Sequence, residues 1–378
     1  MTQGKVKIGI VGIGSVGTDH VDHVIALPDT ELSAICDRGF ELLDADAYPE
    51  IPRYDSYERM LEAADLDAVI IATPHFDHPD MCLTAFERGL HVLVEKPIAV
   101  HVGEAQRLLD GARAAKRANP ELVFAAMFMQ RTWGQWRKIK EIIDSGALGS
   151  LMRCSWIITD WFRTQYYFDS RPWRGKWASE GGGVLMNQCP HNLDLYQWLV
   201  GMPARVNGQV SFGKHHRIEV EDEVTAYFEY DNGMVGHFIA STGESPGTNR
   251  LEIAGDCGKL VYEDDELVLY RNEWSSSQHI REAGKGGKLP VSRELVPFEA
   301  RRTNQHECII ANFADAILHG AELIAPAEEG LNSVILNNAI ILSAHKQATV
   351  ELPMDPQEYA DLLQTYIARP PQPVRIRL

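Results

Sequence analysis

A turn built on three spaced glycines, Gly12-Ile13-Gly14-Ser15-Val16-Gly17, constrains this chain more than any other feature, because of what stands on either side of it. Residues 5–11 form an apolar, β-branched run that reads as a strand, and residues 15–27 carry a helical pattern. A strand that turns on glycine straight into a helix opens a βαβ unit. In such a turn Gly12 permits the tight bend, Gly14 lets a ligand approach the backbone, and Gly17 lets the helix close on the strand. The helix N-terminus then offers N–H groups and a positive dipole end to a pyrophosphate. Asp37 ends a second strand, read over 31–37, and stands 20 residues beyond Gly17, where a carboxylate accepts hydrogen bonds from ribose hydroxyls. The six turn residues, with Asp37 and Arg38, are therefore the expected dinucleotide site. Asp37 would repel a 2′-phosphate, so NAD is expected ahead of NADP, although Arg38 would suit that phosphate were Asp37 turned away.

The alternation of strand and helix continues, with strands read over 67–73, 91–94 and 122–127 and helices over 78–88 and 102–117. The near-continuous apolar run at 67–73 suits a parallel strand covered on both faces. Beyond 131 the character changes. After a helix at 133–145 come β-type runs at 151–159, 204–212, 224–230, 234–241, 250–254 and 259–262, with turns such as Asp231-Asn232-Gly233 between them. Helical patterns stand at 191–199, 305–318 and 330–345, and Gly284-Lys285-Gly286-Gly287-Lys288 reads as a loop tip. The 378 residues exceed what one core usually serves. The expectation is an α/β protein with two domains. Residues 1–130 form a doubly wound, parallel Rossmann domain for the cofactor. Residues 131–378 are expected to form a second α/β domain with a large, mainly antiparallel sheet.

Composition excludes several classes. A net charge of −17 opposes binding to a nucleic-acid backbone. No apolar stretch approaches the length that spans a bilayer. The six cysteines are scattered, and residues 1–5 run into the first strand with no apolar leader, so reduced, mostly buried thiols and a cytoplasmic location are expected. His75 and His78 form an H-x-x-H pair without the further ligands of a zinc site, and no metal is expected. His20, His23, His215 and His216 show no partner pattern and are expected at the surface or partly buried. Trp133 and Trp136 are expected in a core or an interface.

Two segments carry the chemistry. The first is Ala72-Thr73-Pro74-His75 with His78, followed by Gly89-Leu90-His91-Val92-Leu93-Val94-Glu95-Lys96-Pro97. The second is Gly181-Gly182-Gly183-Val184-Leu185-Met186-Asn187-Gln188-Cys189-Pro190-His191-Asn192-Leu193-Asp194. With the glycine turn, they make the chain resemble the Gfo/Idh/MocA family (glucose–fructose oxidoreductase and inositol dehydrogenase relatives) over nearly its whole length. The resemblance implies an oxidoreductase with an N-terminal Rossmann domain and, over 131–378, a C-terminal α/β domain with a large, mainly antiparallel open sheet that serves substrate binding and oligomerisation. It implies that Lys96, in the family's Glu-Lys-Pro motif, contacts the reacting oxygen, and that His191 is the catalytic histidine. An ammonium there stabilises the alkoxide-like charge that develops as hydride leaves carbon, and an imidazole can take and return the hydroxyl proton. Thr73 and Pro74, with Glu95 and Lys96, close strands whose C-terminal ends border a cofactor crevice, His78 opens the helix that follows, and all five are expected to bind the cofactor. Asp194 follows His191 by about one helical turn and would cap or orient. Many relatives carry aspartate where this chain has Asn187. An amide cannot exchange a net proton at neutral pH, so Asn187 is expected to hydrogen-bond the substrate or fix Lys96, leaving proton transfer to His191, Lys96 or both.

Between these segments lie Trp161, Arg163, Tyr166, Trp173 and Arg174. Flat aromatic faces suit the CH face of a pyranose or cyclitol, and arginines donate to ring hydroxyls or bind an anionic group. With Lys96, Asn187 and His191 they form the expected substrate set. The expected activity is hydride transfer between NAD and a hydroxyl carbon of a sugar, glycoside or cyclitol, in a homodimer or homotetramer. Two alternatives stand beside it: a redox glycosidase that keeps its NAD, and a cofactor-dependent sensor, against which the retention of Lys96 and His191 counts.

Overall fold

The computed structural model describes residues 4–40, 48–284, 286–300 and 305–372; Lys285 of the expected loop tip lies outside them. The chain divides into two compact units: Met1–Thr132 with Arg302–Val334, and Trp133–Arg301 with Ile335–Leu378.

The first unit contains β1 (Val6–Val11), α1 (Ser15–Ala26), β2 (Thr30–Cys36), β3 (Arg53–Tyr54), α2 (Tyr57–Ala63), β4 (Ala68–Ile71), α3 (His78–Glu87), β5 (His91–Val94), α4 (Val102–Ala118) and β6 (Phe124–Ala126). The strands lie in the order β3-β2-β1-β4-β5-β6, every pair parallel. The order reverses beside β1, so the crevice at the C-terminal ends of β1 and β4 is where such a sheet binds ligand. All four residues of β4 are buried, as its unbroken apolar run requires when helices cover both faces.

One of those helices arrives late. The sequence reading assigned everything after residue 130 to the second domain, but residues 302–334 belong with the first unit. The reason is α9 (Gln305–His319), whose buried Ile309, Ile310, Phe313 and Ala314 pack where α1, β1 and β5 would otherwise face water. A parallel sheet left bare on one face would expose its apolar strands, and α9 covers part of that face.

The second unit holds α5 (Gly134–Asp144), β7 (Leu151–Ile158), α6 (Gln165–Asp169), α7 (Pro190–Val200), β8 (Arg205–Phe212), β9 (Glu221–Glu229), β10 (Val235–Ser241), β11 (Asn249–Gly255), β12 (Gly258–Glu263), β13 (Glu266–Asn272), α8 (Ser276–Glu282) and β14 (Val291–Leu295). After α9, α10 (Gly330–Lys346) runs on into it and is followed by β15 (Val350–Glu351) and α11 (Pro356–Ala368). Its sheet has the order β14-β13-β12-β11-β7-β10-β9-β8-β15, antiparallel apart from the parallel pair β10 and β7. Alternation divides the strands' residues between two faces. Trp156, Phe228, Phe238 and Leu251 are fully buried on one face, where Tyr196 of α7 packs edge-on to Phe228. The opposite face leaves Ile157, Tyr227, Val235 and Ile239 part-exposed. Among the described residues, no helix is long and apolar enough to cross a membrane.

Candidate active site

The glycine turn is shaped by contact at two positions and by emptiness at a third. Gly12 has φ of +90°, and a Cβ there would meet the carbonyl oxygen of Ala72 at 2.5 Å. A Cβ at Gly17 would lie 1.8 Å from the carbonyl oxygen of Gly12, so only glycine lets α1 sit this close to β1. Gly14 has open space within 4 Å of its Cβ position, and Ser15 and Val16 are exposed. No side chain caps the N-terminus of α1 and no acid stands in its first turn. That is a fit for a dinucleotide: uncapped N–H groups, a positive dipole end, and room for the pyrophosphate. Asp37 follows β2, its Oδ2 accepting from the N–H of Ile13 at 2.6 Å and its Oδ1 from that of Gly39 at 2.8 Å. The carboxylate thereby joins the turn that was expected to share a ligand with it. Arg38 is exposed.

Thr73 and Pro74 close β4, and Glu95 and Lys96 close the neighbouring β5. His78 was expected to touch cofactor, but its ring is enclosed, with each nitrogen 2.8 Å from a backbone carbonyl, that of Thr73 and that of Pro97. It ties the two turns together. Glu95 was likewise assigned to cofactor; it is buried, accepting from His20 Nε2 at 2.9 Å and from the backbone N–H of Lys96 at 3.1 Å. Burial pushes its carboxyl up, but the hydrogen bond from His20 and the charges of His20, His306 and Lys96 outweigh this and bring it down to about 2. Glu95 is thus an anion held by His20 that fixes the backbone at the start of Lys96. His20, expected at the surface or partly buried, is fully buried, and the His306 ring of α9 lies 5.4 Å from its own. Sequence reasoning missed this group because a carboxylate 75 residues away shows no spacing signal.

In the second unit the glycine run leads through a π-helical turn, Val184–Gln188, into α7, whose first turn carries the buried His191. Glu221, at the start of β9, reaches back to this run, its Oε1 accepting from the N–H groups of Gly183 at 2.9 Å and Leu185 at 3.1 Å. Burial pushes the Glu221 carboxyl up to about 7, with the neighbouring Glu180 adding to the effect against those N–H donors. Asp194 is buried and accepts from Gln197 at 3.3 Å.

Trp161 is half-buried, and its Nε1 donates to Asn192, next to His191, at 3.3 Å. Arg163 and Arg174 both face the ring of Tyr167, and Arg163 also faces that of Trp161 at 5.4 Å. Their guanidinium carbons stand 4.9 and 4.0 Å from the centre of the Tyr167 ring, and the Tyr167 hydroxyl lies 3.4 Å from Nδ2 of Asn187 and 3.2 Å from Nε2 of Gln188. Tyr166, the expected pocket residue, is 79% exposed. Two adjacent tyrosines on the single turn of α6 point in different directions, and the inward one carries the contacts. Trp173 packs under Arg174 at 5.4 Å. His216, expected at the surface or partly buried, is buried and pairs with Asp222 at 3.1 Å, whereas His215 is partly buried as expected and pairs with Glu223 at 2.6 Å. Trp136 is core, 5.0 Å from the rings of Trp156 and Tyr262. The described cysteines are all free thiols, and no cluster of three or more metal-ligating side chains occurs among the described residues.

A six-stranded parallel sheet in this order, with an uncapped glycine turn and an acidic residue after β2, defines a dinucleotide-binding oxidoreductase domain. Residues 6–119 match the model of an oxidoreductase family with an NAD-binding Rossmann fold, and residues 136–261 match the GFO/IDH/MocA C-terminal domain. The chain belongs to the Gfo/Idh/MocA family of NAD-binding oxidoreductases. It is 24% identical to levoglucosan dehydrogenase of Pseudarthrobacter phenanthrenivorans, over 92% of this chain and 98% of that one. It is 27% identical to D-glucoside 3-dehydrogenase of Escherichia coli, over 93% and 99%. The structure of the WlbA dehydrogenase of Chromobacterium violaceum, in complex with NADH and UDP-GlcNAcA, matches with a TM-score of 0.79 at 25% identity, over 94% of this chain and 98% of that one.

Proposed function

We propose that the protein is an NAD-dependent dehydrogenase that moves a hydride between nicotinamide and a secondary hydroxyl or ketone carbon of a sugar, glycoside or cyclitol. The observation that carries the reading is Lys96, set at the end of β5 by the buried Glu95–His20 pair in the same sheet as the uncapped glycine turn. The ring-sugar substrates named for two full-length relatives support the substrate class.

The Gly12–Gly17 turn and Asp37 would hold NAD, which when bound would supply a two-electron hydride acceptor. His191 takes the proton of the substrate hydroxyl and returns it in the reverse direction. The ammonium of Lys96 stabilises the charge that develops on that oxygen. Asn187 keeps its charge state throughout and hydrogen-bonds the substrate. Tyr167 offers a ring face, and Arg163 and Arg174 beside it donate to hydroxyls. The free thiols fit a cytoplasmic setting. The open face of the second unit's sheet fits a homodimer or homotetramer.

The test is NADH formation, followed by absorbance, against monosaccharides, glycosides, anhydrosugars and inositols, with NAD and NADP in parallel. Lys96→Ala and His191→Ala are each expected to lower turnover at least about a hundredfold with NAD affinity kept. Near-normal turnover of the His191 variant removes its proton-transfer role. Tight NAD binding with no NADH formed across the panel points instead to a redox glycosidase, which released aglycone would reveal.

A further inference from the structure

Glu180 stands immediately before the glycine run, is 1% exposed, and divides its two oxygens between two donors. Oε2 accepts from the backbone N–H of Gly175, and Oε1 accepts from Nδ2 of Asn187. The nitrogen and oxygen of a carboxamide are nearly alike in shape, and the Glu180 oxygen that accepts here decides between them, because only the NH₂ side can donate. The Tyr167 hydroxyl lies beside the same nitrogen, and Tyr167 is itself held by Arg174. Asn187 is therefore turned with Nδ2 toward Glu180 and with Oδ1 on its opposite edge.

We propose that Glu180 is the positioning residue for Asn187, fixing the carboxamide so that Oδ1 is the acceptor for a substrate hydroxyl. The inference rests on the dehydrogenase reading and adds a specificity rule to it. The site selects a substrate that donates a hydrogen bond at this point and rejects the analogue lacking that hydroxyl, since a site built around a polar contact discriminates strongly against its loss. The Gly175 N–H supplies the lever for a test. In Glu180→Gln that N–H holds the glutamine oxygen, which leaves the new NH₂ facing residue 187. Asn187 must then turn over to accept from it and presents NH₂ to the substrate instead. Asn187→Asp, in contrast, places two carboxylates in contact inside the protein, and one must take up a proton.

The experiment is a charge-swap cycle, Glu180→Gln, Asn187→Asp and the double variant, with melting at pH 5 and pH 8 and steady-state kinetics on the sugar that the panel identifies. Asn187→Asp is expected to melt at least about 5 °C below the parent at pH 8 and much closer to it at pH 5. The double variant restores one amide facing one carboxylate and should melt within about 2 °C of the parent at both pH values. Glu180→Gln should keep its melting point, raise KM at least about tenfold with kcat changed less than about threefold, and relax the discrimination against the corresponding O-methyl ether, which accepts a hydrogen bond but cannot donate one. Equal melting of Asn187→Asp and the parent at pH 8, or a double variant no more stable than Asn187→Asp, overturns the pairing. Unchanged KM and unchanged discrimination in Glu180→Gln overturn the positioning role. The melting arms need no substrate, so they read the pair even where the dehydrogenase reading fails.

Discussion

Gly17 and Gly14 share one turn and answer to different constraints. At Gly17 a methyl group would overlap a backbone oxygen of the same turn, so α1 must move off β1. At Gly14 the space is open, and a methyl would meet a ligand before it met protein. Gly17→Ala is accordingly expected to cost about 1–3 kcal/mol of stability together with NADH affinity, whereas Gly14→Ala should melt like the parent and lose affinity alone. Thermal melting beside an NADH fluorescence titration separates the two; a Gly17 variant with unaltered melting would mean that the turn relaxes freely. At this scale the motif residues were legible, since glycine spacing and the acid after β2 are written locally. Tyr167, Glu180 and the His20–Glu95 pair were not. Their roles depend on partners up to 75 residues away, or on which of two adjacent tyrosines turns inward.

The run from the three glycines through the π-helical turn into α7 is held from below by Glu221, and that element should respond to pH. The Glu221 carboxyl titrates near 7 in the fold against an ordinary carboxylate value of 4.5. A raised folded value means that the native state holds a proton which the unfolded chain has already released. Its contribution is therefore complete below about 4.5, fades as pH rises, and is gone above about 7. Glu221→Gln keeps an oxygen for the N–H groups of Gly183 and Leu185, cannot ionise, and should flatten the fall in stability between pH 4.5 and 7. Denaturant melts at several pH values check this; an unaltered slope would show that Glu221 is not the group involved. Elements with a full period of pattern, such as β4, α4 and β9, stood out in the sequence. β3 is two residues long, α6 is a single turn, and β14 is exposed along its whole length, so none of them carries an apolar alternation to read. The parallel contact between β7 and β10 inside an otherwise antiparallel sheet was equally invisible, because strand direction is set by the path of the chain.

For the molecule as a whole, the sheet of the second unit is the feature with an unmet demand. Its outward residues on β7, β9 and β10 include Ile157, Tyr227, Val235 and Ile239, an apolar set left part-exposed on that face. Light scattering is expected to give two or four times the chain mass of 42.3 kDa, and Tyr227→Glu with Ile239→Glu should reduce it to one. A parent that runs as a monomer at micromolar concentration ends that proposal. The division into a cofactor unit and a second α/β unit was legible from the change in pattern near residue 131, but the return of 302–334 to the first unit was not, because an amphipathic helix does not announce which sheet it will cover.

That return fixes an order of events during synthesis. The cofactor unit is begun first and completed almost last: its sheet is made within the first 126 residues, but the helix that shields part of it ends at His319. At ordinary elongation rates a ribosome needs roughly 10 to 40 s to travel between those points. Throughout that interval the nascent chain carries apolar strand surface with nothing of its own to put against it, while the intervening unit is still emerging. Such a chain would depend on chaperone shelter early in life, and a stop codon between β6 and α9 would leave a glycine turn intact in sequence on a sheet lacking part of its cover.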